Sequence, residues 1–254
     1  MRRLCLFSIV SVLLCSVSFG QPVDLVVNQG QSSAMFTVSG ASDSSSISGT
    51  GSIVVEPIAP PFNTAQLTML DLTLVDGFDI NFLGGLVSIE AAPGSVMLSI
   101  AMPGAAGLVD GANQFDQLGN SISLAGTVDI FDPLGLAGGS ATFNLVDVGL
   151  VAVDFNDVQL SVDGQDLTVS ADLDLNLDAN GNAVQVNASI VATGQLPSIL
   201  LGDVNQDGSV DLLDVQPFVD LLAKSGYQLE ADMNQDGALN LLDVQLFVDA
   251  LAGG

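Results

Sequence analysis

Between Gln21 and about Pro197, apolar and polar residues alternate with a period of two. The clearest run is "LTVSADLDLNLDANGNAVQVNASIVA". Leu167, Val169, Ala171, Leu173, Leu175 and Leu177 fall on one face, and Thr168, Ser170, Asp172, Asp174, Asn176 and Asp178 on the other. That spacing predicts a strand with one buried and one wetted face, as in antiparallel sheets. Asn180-Gly181 breaks the run, and Val184, Val186, Ala188 and Ile190 resume it, which predicts a hairpin. The segments "QLTMLDLTLVDGFDINF", "SISLAGTVDIF" and "VDFNDVQLSVDGQDLTV" alternate likewise, and Asp76-Gly77 and Asp163-Gly164 mark further turns. No long stretch of period 3.6 occurs before residue 210. The expectation is mainly β: an antiparallel β-sandwich or β-barrel domain over 21–197. Its roughly 175 residues are enough for a core without disulfides.

After "QLPSILL" the pattern becomes loop then helix, twice. "GDVNQDGSVDLLDVQPFVDLL" (202–222) and "ADMNQDGALNLLDVQLFVDAL" (231–251) agree at 14 of 21 aligned positions, an internal duplication. This predicts a small α-helical domain over 198–254. Phe218, Val219, Leu222, Phe247, Val248 and Leu251 have helical spacing and are expected in its core. Pro217 is expected either to kink the first helix or to start a new turn as its first residue.

Composition narrows the function. Arg2 and Arg3 precede the apolar run "LCLFSIVSVLLCSVSF", with small Gly20 before a plausible cut. Residues 1–20 read as a secretory signal peptide, too short to span a membrane comfortably. Leu14 before Cys15 does not fit a lipoprotein cut. Cleavage would remove both cysteines and both arginines, leaving Lys224 as the one cation against 29 acidic residues. Such a chain cannot neutralise phosphates, which excludes nucleic acid, and it does not suit anionic membranes. No membrane insertion of the mature chain is expected. A secreted or cell-surface protein of this charge suits a cation, and calcium is the abundant one outside cells.

The duplicated loops have the spacing of a calcium loop. Counting Asp203 as position 1, Asn205, Asp207, Ser209, Asp211 and Asp214 stand at 3, 5, 7, 9 and 12; Asp232, Asn234, Asp236, Ala238, Asn240 and Asp243 repeat the order. Calcium takes six to eight oxygens at about 2.3–2.6 Å. Positions 1, 3 and 5 turn side chains inward, and position 6, Gly208 or Gly237, needs a conformation only glycine adopts cheaply. Position 7 offers a carbonyl, so Ser209 and Ala238 are equivalent, and position 9 works through water. Val210 and Leu239, at position 8, are expected to form a short β-bridge or to pack between the loops. Position 12 is Asp where the general calcium loop has Glu, so the helix must sit closer.

Two loops of this kind, "DVNQDGSVDLLD" and "DMNQDGALNLLD", each followed by one apolar helix and without an entering helix, resemble the type I dockerin module. The resemblance covers about 202–251. It implies a fold around two calcium ions with pseudo-twofold symmetry, and binding to a cohesin-like domain or cell-surface scaffold. Loop positions 10 and 11 commonly contact the partner in that family; here they are Leu212, Leu213, Leu241 and Leu242. Identical pairs would permit two binding orientations, whereas the alternative places some of these leucines in the core. Asp220 and Asp249 stand where many dockerins carry basic residues. A module of about 50 residues rarely draws more than about 3–5 kcal/mol from its core. Calcium at a thousandfold over its dissociation constant adds about 4 kcal/mol.

Three functions stay open: a non-catalytic protein tethered by the docking module, a polysaccharide-degrading or carbohydrate-binding component, and a β-barrel holding an apolar ligand. Region 21–200 contains no His, Lys, Arg, Cys, Trp or Tyr, which excludes Ser–His–Asp and Cys–His catalysis. Glycosidases need two carboxylates, and Glu56 and Glu90 are the only glutamates there. Sugar rings are usually held by Trp and Tyr, and only Phe is available.

Overall fold

The computed structural model describes residues 22–253 apart from 137, 180 and 181, and leaves the side chains of 178, 179 and 182 aside. The expected signal peptide, 1–20, lies outside the described residues.

Among the described residues, fourteen strands precede two helices. The first seven are β1 (Pro22–Val27), β2 (Ser33–Val38), β3 (Ala41–Glu56), β4 (Thr64–Leu74), β5 (Phe78–Phe82), β6 (Val87–Ala91) and β7 (Met97–Met102). They are followed by β8 (Gly107–Leu108), β9 (Gln114–Ala125), β10 (Thr127–Phe131), β11 (Ala141–Asn144), β12 (Leu150–Asp163), β13 (Asp166–Ala179) and β14 (Asn182–Gln195).

The open choice between sandwich and barrel is decided by pairing. Strands β3, β2, β14, β13, β12, β9, β7 and β4 follow one another around a sheet, and β4 pairs back onto β3. The result is an antiparallel eight-stave barrel. One stave is shared: β2 and β1 both lie between β3 and β14, at successive heights. The hairpin expected around Asn180-Gly181 is seen on either side of those two residues, with β13 and β14 paired through to Ala179↔Asn182. Asp163-Gly164 joins β12 to β13 as a tight hairpin.

Asp76-Gly77 does something else: it leads the chain out of the barrel. After β4 the chain forms the hairpin β5–β6 and returns as β7. After β9 it forms the hairpin β10–β11 and returns as β12. The two hairpins join through β6 and β10 into a four-stranded sheet ordered β11-β10-β6-β5. Both exits turn on glycine with positive φ, Gly77 at 68° and Gly126 at 110°. A Cβ there would stand 2.1 Å from the Ala91 carbonyl oxygen and 1.8 Å from that of Ser95, so no side chain fits.

Alternation decides what faces in. Leu167, Val169, Leu173 and Leu175 on β13, and Val186 and Ile190 on β14, are buried in one continuous apolar core, while Asp172 and Asp174 are exposed. Apolar inside and carboxylate outside is the reverse of a barrel that faces lipid. Among the described residues no helix is long and apolar enough to cross a membrane.

Two staves are broken, and in each case a side chain takes over the missing pairing. Between β1 and β2, the Ser32 hydroxyl accepts from the Val191 N–H at 2.9 Å and donates to the Val191 carbonyl at 3.2 Å. Between β7 and β8, the fully buried Gln117 amide accepts from the Leu67 N–H at 2.6 Å and donates to the Leu67 carbonyl at 2.8 Å. Asn120, also fully buried, accepts from Gln117 Nε2 and from the Gly104 N–H, both at 2.7 Å. Each buried backbone group left alone would cost about 1–3 kcal/mol, so these polar residues stand in for absent strand.

Between the barrel and the four-stranded sheet lies a cavity of about 880 Å³. Phe36 of β2 stacks on Phe78 of β5 at its wall, ring centroids 4.3 Å apart, tying sheet to barrel.

Candidate metal and docking site

The C-terminal segment carries α1 (Val215–Lys224) and α2 (Leu241–Gly253), with one turn of 3-10 helix, Leu229–Ala231, before the second loop. Phe218 and Phe247, equivalent in the two repeats, stack face to face with centroids 4.1 Å apart and planes 1° apart. Val204 and Ala231 complete the buried centre, with Leu222 and Leu251 packed against it. Val219 and Val248, also expected in the core, are each 49% exposed. Neighbouring helical residues point about 100° apart, and each helix has only one covered face, which Phe218 and Phe247 occupy.

Pro217 neither kinks α1 nor begins it. The helix starts two residues earlier, so Pro217 lies in the first turn, where N–H groups have no intrahelical acceptor. The first i→i−4 bond, from the Phe218 N–H to the Asp214 carbonyl at 2.9 Å, comes immediately after it. The second helix begins earlier in its repeat, at loop position 10.

The two loops make the same hydrogen bonds. Asp203 accepts from the N–H groups of Asp207 (3.0 Å) and Gly208 (2.9 Å); Asp232 accepts from Asp236 (3.2 Å) and Gly237 (2.9 Å). Asn205 and Asn234 each accept from the residue two further on, and Asp207 and Asp236 do the same for Ser209 and Ala238. Asp211 and Asn240 bind the N–H of Leu213 and Leu242. Position 12 closes each loop. Asp214 accepts from the Asn205 and Asp211 N–H groups, both at 2.9 Å, and Asp243 from those of Asn234 (3.1 Å) and Asn240 (2.8 Å). The short Asp side chain therefore reaches both arms of its loop. Asp214 gives up capping its own helix to do so. No bridge forms between Val210 and Leu239; Leu239 packs on the module core and Val210 lies against Gly202.

Asp203, Asp214, Asp232 and Asp243 are buried, the last three completely. Lys224, the only cation among the described residues, pairs on the surface with Asp220 at 3.4 Å. That contact, after a hydrogen bond from Gln216, holds Asp220 below the usual carboxylate range. The four buried carboxylates thus have hydrogen bonds but no counter-charge. Among the described residues no group of three or more acidic side chains converges as a metal cage. Each loop presents two buried carboxylates, with further Asp and Asn side chains and carbonyls beside them. An all-oxygen set with uncompensated buried charge fits a hard divalent cation.

One residue of this neighbourhood escaped the sequence reading. The Tyr227 hydroxyl donates to Asp232 Oδ2 at 3.0 Å. Burial, then that bond, pushes its pKa up to about 12. Its only signal is that the chain's sole Tyr stands five residues before the second loop.

The four leucines expected to contact a partner are not core. Leu212 and Leu213 are 80% and 65% exposed, and Leu241 and Leu242 are 82% and 67% exposed. The near-equal values show that the duplication extends to the surface. The two glutamates of the β-region fall apart: Glu90 lines a shallow cleft with Asp43, Asp76, Asp79 and Asp129, and Glu56 ends β3 outside it.

Residues 201–251 match the family of the dockerin type I domain, over about a fifth of the chain. No curated protein and no solved structure matches. Type I dockerin domains bind calcium and dock onto cohesins.

Proposed function

We propose that this is a secreted, non-catalytic protein whose C-terminal module binds two calcium ions and tethers the barrel to a cohesin-like or cell-surface partner. Residues 21–197 then form the displayed domain, 198–254 the anchor and 1–20 the export signal. Asp203, Asn205, Asp207, the Ser209 carbonyl, Asp214 and, through water, Asp211 hold one ion. Asp232, Asn234, Asp236, the Ala238 carbonyl, Asp243 and, through water, Asn240 hold the other. The ions supply the positive charge that the buried carboxylates lack. The leucine pairs 212–213 and 241–242 are the partner contacts, one pair used at a time.

The observation that carries this reading is the repetition of loop bonding and leucine exposure in both halves of the module. Calorimetric titration of the full chain with calcium, after chelation, tests it. Two ions bound with a gain of helix are expected, and one ion after Asp203→Ala or Asp232→Ala. A chain that binds none refutes the reading. For the partner contacts, replacing both leucine pairs by Ser should abolish binding to a cohesin, while replacing either pair alone should cost only about twofold, the loss of one of two orientations.

A further inference from the structure

The cavity between barrel and sheet lies remote in sequence from the docking segment, and the proposed tethering function gives it no role. Its walls come from all eight staves on the barrel side, β2, β3, β4, β7, β9, β12, β13 and β14, and from β5, β6, β10 and β11 on the other. Among the described residues Thr142, Asn144, Asp147 and Asn176 are its only polar lining residues, and all four are exposed. The interior is therefore apolar throughout, with polarity confined to the rim.

Three physical facts bear on such a space. Protein interiors are close-packed and tolerate few voids larger than a water molecule. Water does not fill an apolar void, because each buried molecule needs two to four polar partners. A volume of about 880 Å³ lies within the ~300–1,000 Å³ range of small-molecule sites. Eight-stave barrels are the size at which the lumen is either filled by side chains or holds one small ligand. Here side chains fill one part of the lumen and leave open the space that faces the four-stranded sheet.

The charge pattern selects the ligand. Residues 22–223 contain no Lys, Arg or His, so no group there can pair with a carboxylate, sulfate or phosphate. Among the described residues the one charge at the rim is Asp147, which repels anions. The geometry points to a binding site for a single uncharged lipophilic molecule, its apolar body between barrel and sheet and any neutral polar end among Thr142, Asn144 and Asn176. Fatty acids and other anionic lipids are excluded by the same walls.

The test uses two fluorescent probes that share an anilinonaphthalene-type ring system and differ mainly in one sulfonate: neutral N-phenyl-1-naphthylamine and anionic 8-anilinonaphthalene-1-sulfonate. The full chain should bind the neutral probe saturably, one per chain, and the anionic probe at least tenfold more weakly. Absence of saturable neutral binding overturns the site. Equal or tighter anionic binding overturns its charge selectivity, because loosely packed apolar surface takes both. Ala188→Phe, which places a ring in the cavity, should lower neutral-probe affinity at least tenfold with the β circular dichroism retained. Should that variant not fold, Asp147→Lys at the exposed rim serves instead. The neutral-to-anionic affinity ratio should then fall at least tenfold, and an unchanged ratio rejects the placement.

Discussion

Gln117 in the barrel and Asp214 in the docking module are both fully buried, and each accepts backbone N–H donors. The difference lies in what remains afterwards. The Gln117 amide also donates, so the Leu67 pair and Asn120 complete its bonding and nothing is left over. Asp214 has two N–H donors and still carries a negative charge, as do Asp203, Asp232 and Asp243. A satisfied neutral network stabilises by itself, whereas buried charge without a partner costs energy until a cation arrives. The barrel is thus expected to stay folded without a metal, and the module to need one.

Removing calcium separates the two most sharply. With chelator, the helical signal of α1 and α2 should disappear while the β signal persists. Each site is worth about 4 kcal/mol at a thousandfold excess of calcium, so circular dichroism of the full chain with and without chelator reads the effect directly. A barrel that melted with the module would break the comparison. Next in size is Phe218→Ala, which removes half of the central ring stack. It should cost about 3–5 kcal/mol, confined to the module's unfolding transition in calorimetry.

Gln117→Leu probes the other side. It leaves the Leu67 N–H and carbonyl buried without partners, at about 2–6 kcal/mol for the two groups. The loss should appear in the barrel transition and be the same with or without calcium. The smallest effect concerns Asp76, whose carboxylate accepts from the Ser46 N–H and hydroxyl where the chain leaves the barrel. Those bonds, the hydroxyl's first, hold its carboxyl below the usual carboxylate range. A carboxyl lowered in the folded state stabilises above its unfolded pKa and loses that contribution as pH falls through the folded one. The gap in melting temperature between the chain and Asp76→Asn should therefore be constant near pH 6 and narrow below about pH 4.

Period-two alternation made the strands of the barrel legible, because burial of one face writes itself into every second residue. It could not tell sandwich from barrel: closure is the pairing of β3 with β4 and of β14 with β1 and β2, contacts that leave no local mark. Asp76-Gly77 reads like a hairpin turn, yet it sends the chain into another sheet, and only the positions of Ala91 and Ala92 explain its glycine. Gln117 was visible as a polar residue two after Phe115 in an inward slot, but its partner Leu67 lies on another strand. The duplication of the module's loops was legible in the sequence, and their hydrogen bonds repeat with it, because equal spacing gives equal local geometry. Val219 and Val248 were misplaced because spacing gives a helix its faces without saying how wide the covered one is.

The position of β14 has a consequence for the order of events in folding. This last strand pairs with both β1 and β2, and Ser32 meets Val191 across a separation of 159 residues. Until β14 emerges during synthesis, two staves wait with open edges, the slowest kind of contact to form. The docking loops follow β14 within a few residues. A chain cut short anywhere in the barrel therefore lacks both the closing strand and the anchor. A partner that selects chains by the anchor would receive only those whose barrel sequence has been translated to completion.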